Sequence, residues 1–145
     1  MQFIDLAAQR ARIGDRIDLA VSKVIREGKY ILGPEVAEFE RKLADYVGVK
    51  HVVACANGTD ALLIPLFAFG VGRGDAVFCP SFTFAATAEV VALAGAEPVF
   101  IDIDPDTYNI DIAQLKAAIK AIKAEGRLTP KAIIPVDLFG LAADY

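Results

Sequence analysis

From His51 onward the chain alternates between two kinds of segment, and this alternation limits the fold more than any other feature. Short runs dense in Val, Ile and Phe, at 51–55, 76–79, 98–102 and 132–136, read as buried strands. Between them, 59–69, 85–94 and 111–125 read as helices, the last opened by Asp111 and Gln114 in a capping-box pattern. Gly70, Gly72 and Gly74 form a return loop, and Gly95 ends the second helix. Strands separated by helices pair in parallel, because a parallel neighbour requires a crossover. The expectation is an α/β fold in three layers, a mostly parallel sheet flanked by helices. A hydrophobic fraction of 55% suits a sheet covered on both faces, or a large partner surface. Pro65 is out of place inside 59–69, where it removes a helix hydrogen bond; a kink or a late helix start would accommodate it.

The first fifty residues follow a different pattern. Ile13, Ile17, Ala20, Val21, Val24 and Ile25 predict one helix over 7–27, with Gly28 as its stop. A loop, Lys29 to Gly33, holds Tyr30, and Pro34 suits the first turn of another helix. Val36, Phe39, Leu43, Tyr46 and Val47 form its stripe, which stops near Gly48. The expected division is therefore an amino-terminal helical segment, 1–50, and the first part of an α/β domain, 51–145.

Composition narrows the function. A net charge of −4 gives no electrostatic reason to bind nucleic acid or an anionic membrane. The longest apolar run, Ala61 to Val71, is too short to span a bilayer. The first residues lack the basic flank and apolar core of a signal peptide. With Cys55, Cys79 and His51 as the only thiols and imidazole, no metal site is expected, and a reduced, cytoplasmic setting is the default.

Ligands of parallel sheets bind beyond the carboxyl ends of the strands, here the loops 56–60, 80–84 and 137–140. Asn57-Gly58-Thr59-Asp60 lies between a predicted strand and a predicted helix. The first N–H groups of a helix lack intrahelical partners and carry the positive end of the macrodipole, which suits an anion. Gly58 permits close approach and φ > 0, and Thr59 adds a hydroxyl. The plainer reading is that Asn57-Gly58 is a turn and Thr59 or Asp60 an N-cap. Phe84, with Phe82 nearby, offers a face for a flat ring, or both are core. Asp137 adds a carboxylate, or is a loop acid or a cap. An anion cradle, a ring platform and a carboxylate together suit a planar aromatic phosphate such as pyridoxal 5'-phosphate.

Several stretches then carry a resemblance. Gly28-Lys29-Tyr30-Ile31-Leu32-Gly33-Pro34, Asn57-Gly58-Thr59-Asp60-Ala61-Leu62, Gly74-Asp75 and Pro80-Ser81-Phe82-Thr83-Phe84 are among them. Pro98-Val99-Phe100-Ile101-Asp102-Ile103-Asp104 and Ile134-Pro135-Val136-Asp137-Leu138-Phe139-Gly140 complete the set. In this order they resemble the amino-terminal part of the pyridoxal-phosphate-dependent sugar aminotransferases of the DegT/DnrJ/EryC1/StrS family. The resemblance implies the large domain of fold-type-I transferases, incomplete in this chain. It implies that backbone N–H groups near Gly58, Thr59 and Asp60 hold the cofactor phosphate, helped by the Thr59 hydroxyl. Phe84 would stack on the pyridine, Asp137 would lie near the ring's hydroxyl side, and Tyr30 would border the substrate entrance at a homodimer interface. The implied reaction moves an amino group from an amino acid, L-glutamate being the expected donor, to a keto group on a nucleotide-linked sugar. The Asp137 stretch looks most like members acting on UDP-linked keto sugars, 3-keto glucuronic acid derivatives among them.

No lysine of this chain matches the family's Schiff-base lysine. Lys116, Lys120 and Lys123 sit on a polar helix face and read as solvated. The expectation is an amino-terminal fragment with no catalytic residue of its own. Two other readings remain at this point. One is a non-catalytic regulator or degraded homologue on the same fold. The other is a nucleotide-binding module, against which the glycines at 70–74 follow a helix rather than a strand.

Overall fold

In the computed structural model, which describes residues 4–145, the chain divides into two compact units, Met1–Ala54 and Cys55–Tyr145. The first unit is helical. Helix α1 (Leu6–Ile13) opens on Asp5, whose carboxylate accepts from the Ala8 N–H at 2.8 Å. The single helix expected over 7–27 is in fact broken: Gly14, at φ 59° and ψ −146°, ends α1 and starts α2 (Asp15–Glu27). An extended, positive-φ conformation of this kind is open essentially to glycine alone, and the apolar stripe running through it hides the break. Gly28 closes α2 in the left-handed region, and Pro34 opens α3 (Pro34–Val47). Gly33 between them has no room for a side chain, since a Cβ would strike the Lys29 carbonyl oxygen.

The second unit holds the sheet. Helix α4 (Gly58–Ala68) leads through the glycine loop into β1 (Asp75–Pro80). Helix α5 (Ala86–Leu93), β2 (Glu97–Ile101), α6 (Ile112–Glu125) and β3 (Thr129–Ile133) follow. The three strands run parallel in the order β2-β1-β3, so the expected parallel, helix-flanked sheet is present. β1 is central, and Val77, Phe78 and Cys79 are at most 1% exposed. On one face Val77 packs with Leu66 of α4, Val90 and Val91 of α5, Val71 and Ala96. On the other, Ala76 and Phe78 pack with Ile101, Ile110, Leu128 and Leu115 of α6. Alternate side chains of one strand thus supply two cores.

Two strand expectations need correction. The last strand is Thr129–Ile133 rather than 132–136. Its pairing starts where the Thr129 N–H donates to the Gly74 carbonyl at 2.9 Å, and Lys131 bulges out as the register slips between Ala76 and Val77. Residues 51–55 form no strand at all. Among the described residues they have no ladder neighbour, and Val53 is 77% exposed. The Ala54 N–H is satisfied instead by the Glu40 carboxylate at 2.8 Å. Pro65 stands inside α4, which starts seven residues before it and continues through it, so a late helix start is not what accommodates it.

Candidate cofactor site

The carboxyl edge of the sheet is where the second unit's unusual backbone collects. Helix α4 feeds the amino end of β1 and shares a core with α5, so its first turn returns toward that edge. Asn57 is its N-cap, in extended backbone, and its Oδ1 accepts from the Asp60 N–H at 2.9 Å. Asn57 Nδ2 donates to the Asp60 carboxylate at 3.2 Å. The Asp60 N–H is therefore already engaged. The N–H groups of Gly58 and Thr59 have no acceptor among the described residues. Gly58 is the first helical residue and does not use the positive φ expected of it. A Cβ there would meet open space, so the fold itself does not demand glycine at this position. The plain reading, a turn with Thr59 or Asp60 as the cap, is corrected by one step: the cap is Asn57, Thr59 and Asp60 lie inside the helix, and two further donors remain beside the cap.

Phe84 follows β1 and precedes α5. It is 77% exposed, and Phe82 is 49% exposed, so the alternative that both are core does not hold. Its backbone is fixed, since its carbonyl accepts from the Thr87 N–H at 3.1 Å. Thr83 and Thr87 join hydroxyls at 3.0 Å beside it. An exposed phenyl on a held backbone can offer a flat face to a ligand.

Asp137 ends the stretch after β3. Its Oδ1 accepts from the Ala143 N–H at 2.9 Å and from the Tyr145 hydroxyl at 3.0 Å, and this bond to a carboxylate raises the Tyr145 pKa. Oδ2 has no partner among the described residues. Tyr30 belongs to the other unit, where its hydroxyl donates to the Ile25 carbonyl at 3.1 Å and its ring lines a hollow with Val21 and Val24. Lys116, Lys120 and Lys123 are exposed on α6, as their spacing suggested. Among the described residues no cluster of His, Cys, Asp or Glu could hold a metal, and no helix is long and apolar enough to cross a membrane. Burial raises the Cys79 pKa, leaving its thiol inert within β1.

Sequence reasoning missed a set of rings at the same edge. Phe82 and Tyr108 have centroids 5.9 Å apart at 40°, and Tyr108 meets Phe139 edge-on at 5.7 Å and 85°. Tyr108 and Phe139 both lie in the left-handed region, at φ 60° and 56°. Their only sequence signals are Asp104-Pro105-Asp106-Thr107, a turn-forming run, and Gly140 after Phe139.

Comparison with known proteins shows the family. Residues 11–145 match the profile of the DegT/DnrJ/EryC1/StrS aminotransferase family. The chain is 56% identical, over its whole length, to UDP-2-acetamido-2-deoxy-3-oxo-D-glucuronate aminotransferase of Pseudomonas aeruginosa, of which it covers 38%. It superposes with a TM-score of 0.97 and 72% identity on a DegT DnrJ EryC1 StrS aminotransferase from Brucella abortus, covering all of this chain and 39% of that one. The crystal structure of DesV from S. venezuelae, in complex with a ketimine intermediate, matches with a TM-score of 0.85 at 34% identity, over 99% of this chain and 37% of that one. The chain thus spans somewhat over a third of the length of these proteins.

Proposed function

The chain belongs to the DegT/DnrJ/EryC1/StrS aminotransferase family, and on that premise we propose that it forms the phosphate-holding and ring-facing part of a pyridoxal-phosphate-dependent sugar aminotransferase. The reaction moves an amino group from an amino acid, L-glutamate being the expected donor, to the keto group of a nucleotide-linked sugar. A UDP-linked 3-keto sugar acid is the favoured acceptor, as in the name of the Pseudomonas relative. Cytoplasmic polysaccharide biosynthesis by a homodimer completes the reading. Within it, 1–50 is a helical segment that carries Tyr30, a substrate-binding residue, and 51–145 is the first part of the cofactor domain.

What supports the reading is one coincidence: two open N–H groups at the start of α4 and one exposed phenylalanine in the loop after β1, which the order of elements puts at the carboxyl edge of a parallel sheet. The donor set fits a phosphate monoester. Gly58 and Thr59 N–H groups donate to its oxygens, the Thr59 hydroxyl adds a third donor, and the α4 dipole adds favourable potential. Asp60 shapes the cradle by locking Asn57, which keeps its carboxylate engaged at 3.2 Å from Asn57 Nδ2. Phe84 would stack on the pyridine and keep water from that face. Asp137, whose Oδ2 is free among the described residues, would lie near the ring's hydroxyl side. Pyridoxal phosphate, when bound, supplies the electron sink for the carbanion formed during amino transfer. No lysine here is assigned to the cofactor, and the 145-residue chain alone is expected to give no turnover with L-glutamate and a UDP-linked 3-keto sugar.

Gly58→Pro tests the cradle. Proline suits the first helical position, and Asn57, at φ −162° and ψ 176°, is compatible with a following proline. The substitution removes one donor and leaves the helix in place. A charge-assisted hydrogen bond is worth about 1.5–3 kcal/mol, so pyridoxal phosphate should bind on the order of tenfold or more weakly, with unchanged circular dichroism. Equal affinity of wild-type chain for pyridoxal and pyridoxal phosphate would refute the assignment.

A further inference from the structure

We propose that Phe82, Tyr108 and Phe139 form an aromatic clasp that positions the ring platform and the carboxylate of the cofactor edge. These three rings come from three different loops, one after each strand: Phe82 after β1, Tyr108 after β2 and Phe139 after β3. Parallel strands fix their own spacing, but the loops beyond them share no ladder. Ring contacts at 5.9 and 5.7 Å join all three, beside two hydrogen bonds, Ser81 N–H to the Ile101 carbonyl at 2.7 Å and Asn109 Nδ2 to the Ala142 carbonyl at 3.3 Å.

The backbone points the same way. Left-handed φ disfavours a residue with a bulky side chain, so glycine or asparagine would serve both turns at lower cost. Two aromatic residues stand there instead, at φ 60° and 56°, and they touch each other. Such strain persists only where the surroundings over-determine it. For Tyr108 the surroundings are explicit. The Asp104 carbonyl accepts from the Tyr108 N–H at 2.8 Å, and the Asp104 N–H donates to the Asn109 carbonyl at 2.9 Å. Asp104 Oδ1 collects the N–H groups of Asp106 and Thr107, both at 2.9 Å, and the Thr107 hydroxyl at 3.1 Å. A bridge between Ile103 and Ile110 closes the base of this turn. The turn is a rigid arm whose tip is the Tyr108 ring.

The clasp stands next to the proposed cofactor groups. Phe84 is two residues beyond Phe82, and Asp137 two residues before Phe139. Tyr108 in the middle touches both neighbours and so couples the first and third loops. Tyr108 is therefore a positioning residue: it acts on Phe84 and Asp137 through the backbones that carry them. This use of the clasp rests on the cofactor reading above, whereas its existence does not.

The test pairs amide hydrogen exchange, without ligand, with pyridoxal phosphate titration of the same variants. Tyr108→Asn removes the ring and suits the left-handed turn, so it spares the fold. It should speed exchange at 82–84 and 138–140 by about two- to tenfold, the range an aromatic pair supplies, leaving 75–79 unchanged. Tyr108→Phe keeps the ring and should restore wild-type exchange. Cofactor affinity should weaken several-fold in Tyr108→Asn and recover in Tyr108→Phe. Phe139→Ala should reproduce the exchange effect at 82–84, across the clasp. Exchange changes confined to 104–109, or Tyr108→Phe behaving like Tyr108→Asn, would overturn the clasp. If wild-type chain binds no pyridoxal phosphate while the exchange pattern appears as stated, the cofactor reading fails and the clasp stands.

Discussion

Two stretches of this chain are written in nearly the same letters and end in opposite states. His51-Val52-Val53-Ala54-Cys55 and Asp75-Ala76-Val77-Phe78-Cys79-Pro80 are both short, apolar and valine-containing. The second becomes the central strand, paired on both sides, with Val77 and Cys79 fully buried. The first has no ladder partner among the described residues, and Val53 is 77% exposed. β-propensity describes fitness for a pleated, half-buried surface rather than an intrinsic preference of the backbone. Strand formation therefore depends on neighbours, and here β2 and β3 both choose β1. The Ala54 N–H found a Glu40 carboxylate, which satisfies a donor without making a sheet.

The largest effect expected from this contrast is on stability. Phe78→Ala opens a cavity in the α6-side core and should cost about 3–5 kcal/mol, whereas Val53→Ala should stay within roughly 0.5 kcal/mol. Urea denaturation of the two variants side by side decides it. Comparable losses would mean that 51–55 is packed as a strand in solution. A smaller effect is expected where the first stretch hands over to α4. Asn57→Ala removes the cap on the Asp60 N–H and should cost about 1 kcal/mol. The same melt measures it, and no change would mean that water replaces the cap without penalty.

The smallest effect concerns acid. Asp104 is held below the ordinary carboxylate range, chiefly by the Thr107 and Asp106 N–H groups, and Asp111 likewise by Gln114. A depressed folded pKa contributes stability that is present above the unfolded value of about 4 and is lost as pH falls through the folded one. Acid below about pH 4 should therefore loosen 102–111 while β1 remains protected. Amide exchange along a pH series should report faster exchange at 104–109 first. Uniform loosening of the whole unit would contradict it.

Legibility followed the same division between local and distant causes. Helix α3 could be read because Pro34 and Gly48 punctuate it, and α6 because Asp111 and Gln114 open it. Even there one detail differs: Gln114 donates its side-chain amide to the Asp111 carboxylate at 3.1 Å, while the Asp111 N–H goes to the Asp102 carbonyl at 2.9 Å. The Gly14 break was hidden because Ile13 and Ile17 continue one stripe across it. The edges of β3 depended on Gly74, more than fifty residues earlier in the chain. At the candidate site, the helix start at Gly58 and Thr59 and the place of Phe84 after a strand were legible, because both are local patterns. The occupation of the Asp60 N–H by Asn57 is also local, yet it was visible only in the geometry. The Phe82–Tyr108–Phe139 contacts join residues far apart in sequence, and no local pattern announces them.

An aromatic phosphate bound at this edge would lie between the Gly58 and Thr59 N–H groups and the Phe84 ring. A two-dimensional amide spectrum of the chain, titrated with pyridoxal 5'-phosphate and separately with pyridoxal, addresses that directly. Saturable shifts of the Gly58 and Thr59 amides with the phosphate form, accompanied by shifts of the Phe84 ring and absent with pyridoxal, are the predicted result. Shifts confined to lysine-bearing segments, with Gly58, Thr59 and Phe84 unmoved, would contradict it.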